Sequence, residues 1–149
     1  MKFEFLSHSE ADTFTLAENI ESEKFPNMVI CLNGQLGSGK TVFVKGFAKA
    51  LGIADNITSP TFNIIKEYYN GELPLFHMDV YRLTEDDDIG IIDYFNNSGI
   101  TIVEWPEIIS NILPDERLDI NIKFIDENTR LFELTAYGSK YIDLCNSVL

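Results

Sequence analysis

One octapeptide constrains the fold of this 149-residue chain more than any other feature. It fits the pattern G-x-x-x-x-G-K-[ST] at every position and comprises Gly34, Gln35, Leu36, Gly37, Ser38, Gly39, Lys40 and Thr41. A continuous apolar run of strand length, residues 28–32, precedes it. Apolar residues at helical spacing follow it from 40 to 51, and Gly52 is placed to end that helix. The sequence therefore predicts a buried strand, a glycine-rich turn and a helix in direct succession.

The residue types in this turn indicate what it binds. Glycines let successive backbone N–H groups point towards one anion, and the N-terminus of the following helix adds partial positive charge. Lys40 supplies a charge for β- and γ-phosphates, and the Thr41 hydroxyl is a suitable Mg²⁺ ligand. The alternative is a glycine-rich turn that precedes a helix by chance, but both flanking segments argue against it. The pattern predicts that residues 34–41, called the phosphate loop below, bind a nucleoside triphosphate, and it leaves the reaction open.

Hydrolysis also needs a carboxylate near the metal and a group that positions the attacking water. Such groups are expected at the C-terminal ends of neighbouring parallel strands. Asp79 lies near the end of an apolar strand predicted at 75–80, and Glu104 closes another predicted at 100–104. Glu104 could instead cap a helix that Pro106 opens. The favoured interpretation of His77 is a hydrogen-bonded structural histidine.

Two polar segments lie outside the predicted helices and strands. Thr58, Ser59 and Thr61 offer three hydroxyls around Pro60, so this loop is either a γ-phosphate sensor or an ordinary Ser-Pro turn. The acidic run at 85–88 is interpreted as a solvated loop or the start of a helix.

The remaining segments predict an α/β fold with a mixed sheet, in one domain spanning residues 1–149. A strand at 2–6 leads to a helix that begins with a capping box, Ser9 to Asp12, and runs to about residue 23. A β-prone stretch at 63–69 follows the phosphate-loop helix. Strands before residue 105 are expected to alternate with helices. The last two strands, 118–124 and 130–137, are expected to pair antiparallel before a final helix at 139–148.

Composition restricts the classes of function. Eleven Lys and Arg against 24 Asp and Glu give a net charge of −13, which excludes a broad basic surface for nucleic acid. Solubility is the simplest interpretation of this acidity. No stretch has the roughly 18 apolar residues of a membrane helix, and the N-terminus does not resemble a secretion signal, so we expect a cytoplasmic protein without a membrane partner. The two cysteines, Cys31 and Cys145, form no CxxC or Cys/His cluster, which argues against sulfur-bound metal and redox catalysis.

Four segments in this order make the chain recognisable. They are Gly34 to Thr41, Ser59-Pro60-Thr61-Phe62, His77-x-Asp79-x-Tyr81-Arg82 and Glu104-Trp105-Pro106-Glu107. Together they resemble the TsaE family, small bacterial P-loop ATPases of tRNA threonylcarbamoyladenosine biosynthesis. The resemblance covers nearly the whole chain. It implies a P-loop NTPase-like three-layer sandwich: a mixed, mostly parallel central sheet with helices on both faces and a C-terminal antiparallel strand pair.

The resemblance also implies roles for individual residues. ATP would bind through its phosphates to the loop that ends in Lys40, and Thr41 and Glu104 would hold Mg²⁺. Asp79 would be the Walker-B-like acid, and Thr61 would belong to a switch-like segment.

Further nucleotide contacts are implied by the same resemblance. Trp105 would pack close to the nucleotide. Ser9 and Glu10, at the start of the first helix, would approach the base, and Arg130 would reach the nucleotide.

The resemblance implies partners as well. The family acts with TsaD and TsaB, whose complex transfers a threonylcarbamoyl group to the adenosine beside the anticodon of tRNA. ATP hydrolysis would support repeated turnover, and tRNA would be contacted through the complex. The acidic chain departs from the usual family pattern between Arg82 and Asp93, where the segment is short and carries residues 85–88 in place of the familiar glutamate-rich stretch.

Three other functions remain as alternatives. A small-molecule kinase would clamp phosphates with several arginines, whereas this chain has only Arg82, Arg117 and Arg130 and no obvious lid insertion. A GTPase would carry an Asn-Lys-x-Asp pattern, which is absent. A non-catalytic nucleotide-dependent interaction module would bind nucleotide without turnover.

Overall fold

The computed structural model describes residues 1–35, 37–58, 60, 64–81, 83 and 90–149. The described strands are β1 (Lys2–Ser7), β2 (Val29–Asn33), β3 (Ile65–Tyr68), β4 (Leu75–Asp79), β5 (Ile100–Glu104), β6 (Arg117–Phe124) and β7 (Arg130–Tyr137). The described helices are α1 (Glu10–Ser22), α2 (Lys40–Leu51), α3 (Ile91–Phe95) and α4 (Ser139–Val148), with a short 3₁₀ helix at Pro106–Ile109. They confirm the predicted α/β class.

The strands form one sheet in the order β1-β7-β6-β2-β5-β4-β3. Its centre is parallel, because β6, β2, β5 and β4 pair in the same direction. Antiparallel pairs close both edges, β3 beside β4 and the β6–β7–β1 group. Five of the seven strands therefore run in one direction, which confirms the mixed, mostly parallel sheet and its C-terminal antiparallel pair. The expected alternation of strands and helices is wrong between β3 and β4, which pair directly as a hairpin.

Helices cover both faces of the sheet. Alternate residues of β2, Ile30 and Leu32, face a core formed with α1, α2 and α4. The intervening residues, Val29 and Cys31, face a second core that contains residues of α3 and the 3₁₀ helix. A strand buried on both sides must be apolar at every position, which explains the uninterrupted run before the phosphate loop. Cys31 is accordingly a fully buried small side chain, and burial raises the pKa of its thiol.

Local signals set several boundaries. The Ser9 hydroxyl accepts a hydrogen bond from Asp12 N at 3.1 Å and caps α1. The Asp12 carboxylate accepts a hydrogen bond from His8 N at 2.9 Å. Asp12, which is shorter than the usual glutamate, thus completes a capping box with the residue before the cap. Gly52 ends α2 with a φ of 94°, a left-handed conformation that glycine adopts without strain. The five-residue helix α3 was not predicted, because it is too short for a helical period.

One buried hydrogen bond joins the last helix to the central strand. The Tyr141 hydroxyl, in α4, accepts a hydrogen bond from Val29 N at 2.9 Å, at the first residue of β2. Tyr141 is 3% exposed, and burial raises its pKa to about 12. The C-terminal helix therefore satisfies a backbone group at the start of the strand that leads to the phosphate loop.

Replacing this hydroxyl should destabilise the fold. In Tyr141→Phe the ring remains, but Val29 N–H is left buried without its partner, a loss of about 1–3 kcal/mol in the free energy of unfolding. Denaturant unfolding measures the change. Tyr137→Phe is the matched control, since Tyr137 is 41% exposed and should tolerate loss of its hydroxyl. Equal stability of the Tyr141→Phe and wild-type proteins would contradict the assigned hydrogen bond.

Candidate functional site

The candidate site lies where the parallel strands end. β2, β4 and β5 run in one direction. Their last residues, Asn33, Asp79 and Glu104, therefore lie side by side at the C-terminal end of the parallel strands. Asp79 and Glu104 are direct neighbours in the pairing of β4 with β5. Helix α2 begins at this same end of the sheet, one loop after β2. Asp79 and Glu104 therefore lie at the C-terminal ends of neighbouring parallel strands, where the sequence predicts such groups, while their roles stay predictions.

The phosphate loop depends on left-handed backbone at two glycines. Gly37 has a φ of 81° and Gly39 a φ of 108°, conformations that strain any side chain. Ser38 N donates to Gln35 O at 2.9 Å and closes a tight turn, and Phe43 N donates to Gly39 O at 3.1 Å as α2 begins. Leu36 lies outside the described residues. The loop therefore turns directly into the helix, as its sequence pattern predicts.

Arg130, the first residue of β7, holds this loop from outside. Its Nε donates to Ser38 O at 3.0 Å and its Nη2 to Gly37 O at 3.5 Å. Its guanidinium lies 4.6 Å from the centre of the Phe124 ring. A trans peptide unit places its C=O and N–H on opposite sides, so the Gly39 N–H points away from Arg130. Arg130 thus helps to orient the loop amides, while its predicted contact with nucleotide stays a prediction.

Lys40 begins α2 and lies between an acid and an aromatic ring. Its Nζ is 3.8 Å from Glu104 Oε1 and 4.2 Å from the centre of the Trp105 ring. Trp105 has a left-handed backbone, with φ 61° and ψ 49°, which turns the chain sharply after β5. The Tyr81 ring packs against Trp105 at 4.9 Å between ring centres. Lys40 is 7% exposed, so its charge is largely shielded from solvent.

Glu104 is a buried carboxylate with two different neighbours. It is 3% exposed, and its Oε2 accepts a hydrogen bond from His77 Nε2 at 2.6 Å. His77 is hydrogen-bonded and fully buried, as the favoured interpretation of this residue expects. The alternative that Glu104 caps a helix is wrong: the 3₁₀ helix has Trp105 at its cap position and no side-chain cap hydrogen bond.

Asp79 is a half-buried acid. Its Oδ1 accepts a hydrogen bond from Tyr81 N at 3.0 Å. Burial raises the pKa of Asp79 above its ordinary value of 3.8, and the Glu104 charge adds to this effect. The hydrogen bond from Tyr81 N–H and the nearby Lys40 and His77 lower the pKa of Asp79 and partly offset this rise. A half-buried carboxylate with a raised pKa beside a second carboxylate is typical of functional sites.

Two cavities flank the phosphate loop. A cavity of about 270 Å³ brings together Ser9, Glu10, Gly39 and Arg130, which are distant in sequence. A second, of about 750 Å³, lies between the loop and the end of β6 and is lined by residues that include Gln35, Ser38, Trp105 and Phe124. The structure therefore gathers several of the sequence-predicted residues along both sides of the loop.

The switch-like loop is described only in part. The Thr58 hydroxyl is hydrogen-bonded to Lys66 Nζ at 2.5 Å, in an exposed position. Ser59, Thr61 and Phe62 lie outside the described residues, as do Arg82 and residues 84–89. The roles predicted for Thr61 and for the acidic segment stay predictions.

Several features of the site were not predicted. Ser38 Oγ is buried and has no hydrogen-bond partner in the described part of the chain, and a Cβ at Gly34 would clash with it. The contact of His77 with Glu104 was also missed. Residues two apart on a strand share a face, so the spacing of His77 and Asp79 offered a signal, but only the order of strands identifies Glu104 as the partner.

Comparison with known proteins assigns the family. The family model described as "Threonylcarbamoyl adenosine biosynthesis protein TsaE" matches residues 7–132. A relative from Bacillus subtilis, the tRNA threonylcarbamoyladenosine biosynthesis protein TsaE, is 49% identical over 124 residues, which are 83% of this chain and 78% of the relative. The chain belongs to the TsaE family. A TsaE from Rickettsia felis is 33% identical over 136 residues, 89% of this chain and 80% of the relative.

A solved structure extends the likeness to the fold. The crystal structure of Bacillus subtilis YdiB superposes with a TM-score of 0.89 at 39% identity, covering 99% of this chain and 94% of that chain. The resemblance to TsaE proteins and the predicted fold class are thereby confirmed. Members of the TsaE family are named for tRNA threonylcarbamoyladenosine biosynthesis. Within the described ranges, no helix is long and apolar enough to cross a membrane.

Removing the charge of Asp79 should stabilise this TsaE-family fold. A pKa raised by folding means that ionisation opposes folding. The loss of stability caused by ionised Asp79 is absent below pH 3.8. It develops as the pH rises towards the folded-state pKa of Asp79 and is complete above that pKa. Asp79→Asn keeps the oxygen that faces Tyr81 N–H, so we expect a gain of about 0.5–2 kcal/mol at neutral pH, the usual range for stabilising substitutions.

Denaturant unfolding at several pH values tests this expectation. The gain should shrink as the pH falls towards 3.8. Asp143→Asn, at an exposed position of α4, is the control and should change stability little. A less stable Asp79→Asn protein at neutral pH would mean that the ionised carboxylate stabilises the fold through Lys40.

Proposed function

We propose that this TsaE-family chain binds and hydrolyses ATP with Mg²⁺, and that hydrolysis supports transfer of a threonylcarbamoyl group to the adenosine beside the anticodon of tRNA. It acts with TsaD and TsaB, is stimulated by them, and meets tRNA through their complex. The observation that carries the proposal is the arrangement of the phosphate loop, with left-handed Gly37 and Gly39, a helix that starts at Lys40, and Glu104 3.8 Å from the lysine nitrogen.

The loop and helix supply the groups that a polyphosphate needs. Backbone N–H groups at the N-terminus of α2 have no partners within the helix, and the helix dipole favours an anion there. Lys40 is the nearest cation, and an incoming phosphate would compete with Glu104 and the Trp105 ring for its Nζ. Glycine at positions 37 and 39 lets the loop adopt this left-handed backbone without side-chain strain.

The oxygen donors beside the loop fit Mg²⁺. This ion typically takes one or two carboxylates together with phosphate oxygens and waters. Glu104 offers Oε1, and Thr41 offers its hydroxyl from the second residue of α2, while Asp79 lies beside Glu104. The described residues hold no cluster of three or more acidic, His or Cys side chains that could bind a metal by itself, so phosphate oxygens would have to complete the site. When bound, Mg²⁺ would neutralise charge on the β- and γ-phosphates.

The two flanking cavities suit the rest of the nucleotide. We assign the base to the cavity lined by Ser9, Glu10, Gly39 and Arg130, because it adjoins the loop at Gly39. We assign to Asp79 the orientation of the attacking water. Its pKa is raised, and it lies on the strand next to Glu104, the proposed Mg²⁺ ligand. Thr61 is assigned to the switch-like loop on the resemblance alone.

Loss of the Lys40 charge should abolish tight ATP binding. Hydrogen bonds to a charged group contribute about 1.5–3 kcal/mol, so Lys40→Ala should bind ATP roughly 10–150-fold more weakly. Calorimetric titration measures the affinity, and thermal unfolding verifies that the protein is folded. Lys49→Ala, an exposed lysine on the same helix, is the matched control and should bind like wild type. An unchanged affinity in Lys40→Ala would refute the phosphate-loop assignment.

Partner dependence distinguishes this function from the alternatives. ATP hydrolysis should rise when the chain is mixed with a TsaB–TsaD complex, and the Glu104→Gln protein should show no such rise. ADP release is the measurement, with the TsaB–TsaD complex alone as the blank. Hydrolysis that responds to a small-molecule acceptor and ignores TsaB–TsaD would instead favour a kinase. Binding without any turnover would favour an interaction module.

A further inference from the structure

The site contains a fully buried histidine to which the proposed function assigns no role. His77 is 0% exposed, and its Nε2 is 2.6 Å from Glu104 Oε2. A carboxylate oxygen can only accept a hydrogen bond, so the ring nitrogen is the donor. The other ring nitrogen, Nδ1, is buried and has no partner among the described residues. Glu104 is therefore the one hydrogen-bond partner that the described structure gives this ring.

Strand register explains why these two side chains meet. His77 lies two residues before Asp79 on β4, so the two side chains share a face of the sheet. The pairing of β4 with β5 sets Asp79 opposite Glu104 and His77 opposite Ile102. His77 is thus the diagonal neighbour of Glu104, within reach of a long side chain. Both residues sit in buried strands, which hold the ring in a defined place.

The contact makes the two oxygens of Glu104 unequal. Oε2 is taken by His77, whereas Oε1 is 3.8 Å from Lys40 Nζ, longer than a hydrogen bond. Within the described part of the chain, Oε1 is therefore the oxygen without a hydrogen bond, and it faces Lys40. Without the His77 donor, rotation of the carboxylate group would exchange the two oxygens and leave a buried charge without its hydrogen bond.

We propose that His77 is a positioning residue that fixes the Glu104 carboxylate so that Oε1 is presented to Mg²⁺ beside the phosphate loop. The inference rests on the proposed function, because it takes Glu104 as a ligand of Mg²⁺. Hydrogen bonds to ligating carboxylates orient them and raise metal affinity, and loss of such a partner typically lowers affinity about 10–100-fold. A histidine on a rigid strand suits this task, since its ring has few conformations.

Two substitutions separate the donor from the packing. His77→Leu fills a similar volume without a donor, and His77→Gln can place an N–H near the position of Nε2. Thr101→Val is the matched control: Thr101 is a buried residue of β5 whose hydroxyl has no partner in the described structure. All proteins are saturated with ADP and titrated with Mg²⁺ in a calorimeter. ADP affinity is also measured in EDTA, where no Mg²⁺ contributes.

The expected result is a selective loss. The Mg²⁺ concentration at half-saturation should rise about 10–100-fold in His77→Leu and remain near the wild-type value in His77→Gln and Thr101→Val. ADP affinity in EDTA should be similar in all four proteins, because the loop and Lys40 are unchanged. A merely structural role would instead lower the melting temperature and weaken ADP binding with and without Mg²⁺.

Two failures can be told apart. A wild-type protein that binds ADP without any effect of Mg²⁺ overturns the metal role of Glu104 and the inference with it. A wild type that responds to Mg²⁺, beside a His77→Leu protein that responds equally, overturns the role of His77 alone.

A spectroscopic measurement on the wild type keeps the inference testable if His77→Leu does not fold. The ring Nε2–H of His77 should give a protected NMR resonance without metal. That resonance should shift when Mg²⁺ is added to the ADP complex, because the carboxylate it contacts changes its charge environment. A resonance that stays in place as Mg²⁺ binds overturns the inference.

Discussion

The carboxylate of Glu104 is buried at the end of β5. His77 donates a hydrogen bond to one of its oxygens, and the Lys40 charge lies near the other. A buried charge without such partners would be strongly unfavourable, so the three residues depend on one another. These contacts connect β4, β5 and the start of α2 at the C-terminal end of the parallel strands. The phosphate loop lies at the same end, so the contacts that stabilise the buried charge also set the position of the candidate site.

The antiparallel part of the sheet contributes to that site as well. Arg130 begins β7 and donates hydrogen bonds to the carbonyls of Gly37 and Ser38, more than ninety residues earlier in the chain. Its position follows from the pairing of β7 with β6, because β6 lies beside β2. The C-terminal hairpin is therefore a support for the loop, and it brings the region of Arg130 next to the start of α1.

Much of the local structure could be predicted because its signals are local. The bounds of α2 match the predicted range, since a glycine-rich turn precedes it and Gly52 ends it. The bounds of β5, β7 and α4 also agree. The β3–β4 hairpin was missed because periodicity shows where strands lie but not which strands pair. Helix α3 was missed because five residues are fewer than two helical turns.

Sequence alone determined the phosphate loop and the residue types of the site, since the glycines, Lys40 and Thr41 are adjacent and their chemistry can be interpreted in place. Tertiary structure decided which distant groups meet: His77 with Glu104, 27 residues apart, and Arg130 with Ser38, 92 residues apart. The physical reason is the order of strands in the sheet. That order results from packing two apolar faces against helices, and no short segment of the chain contains it.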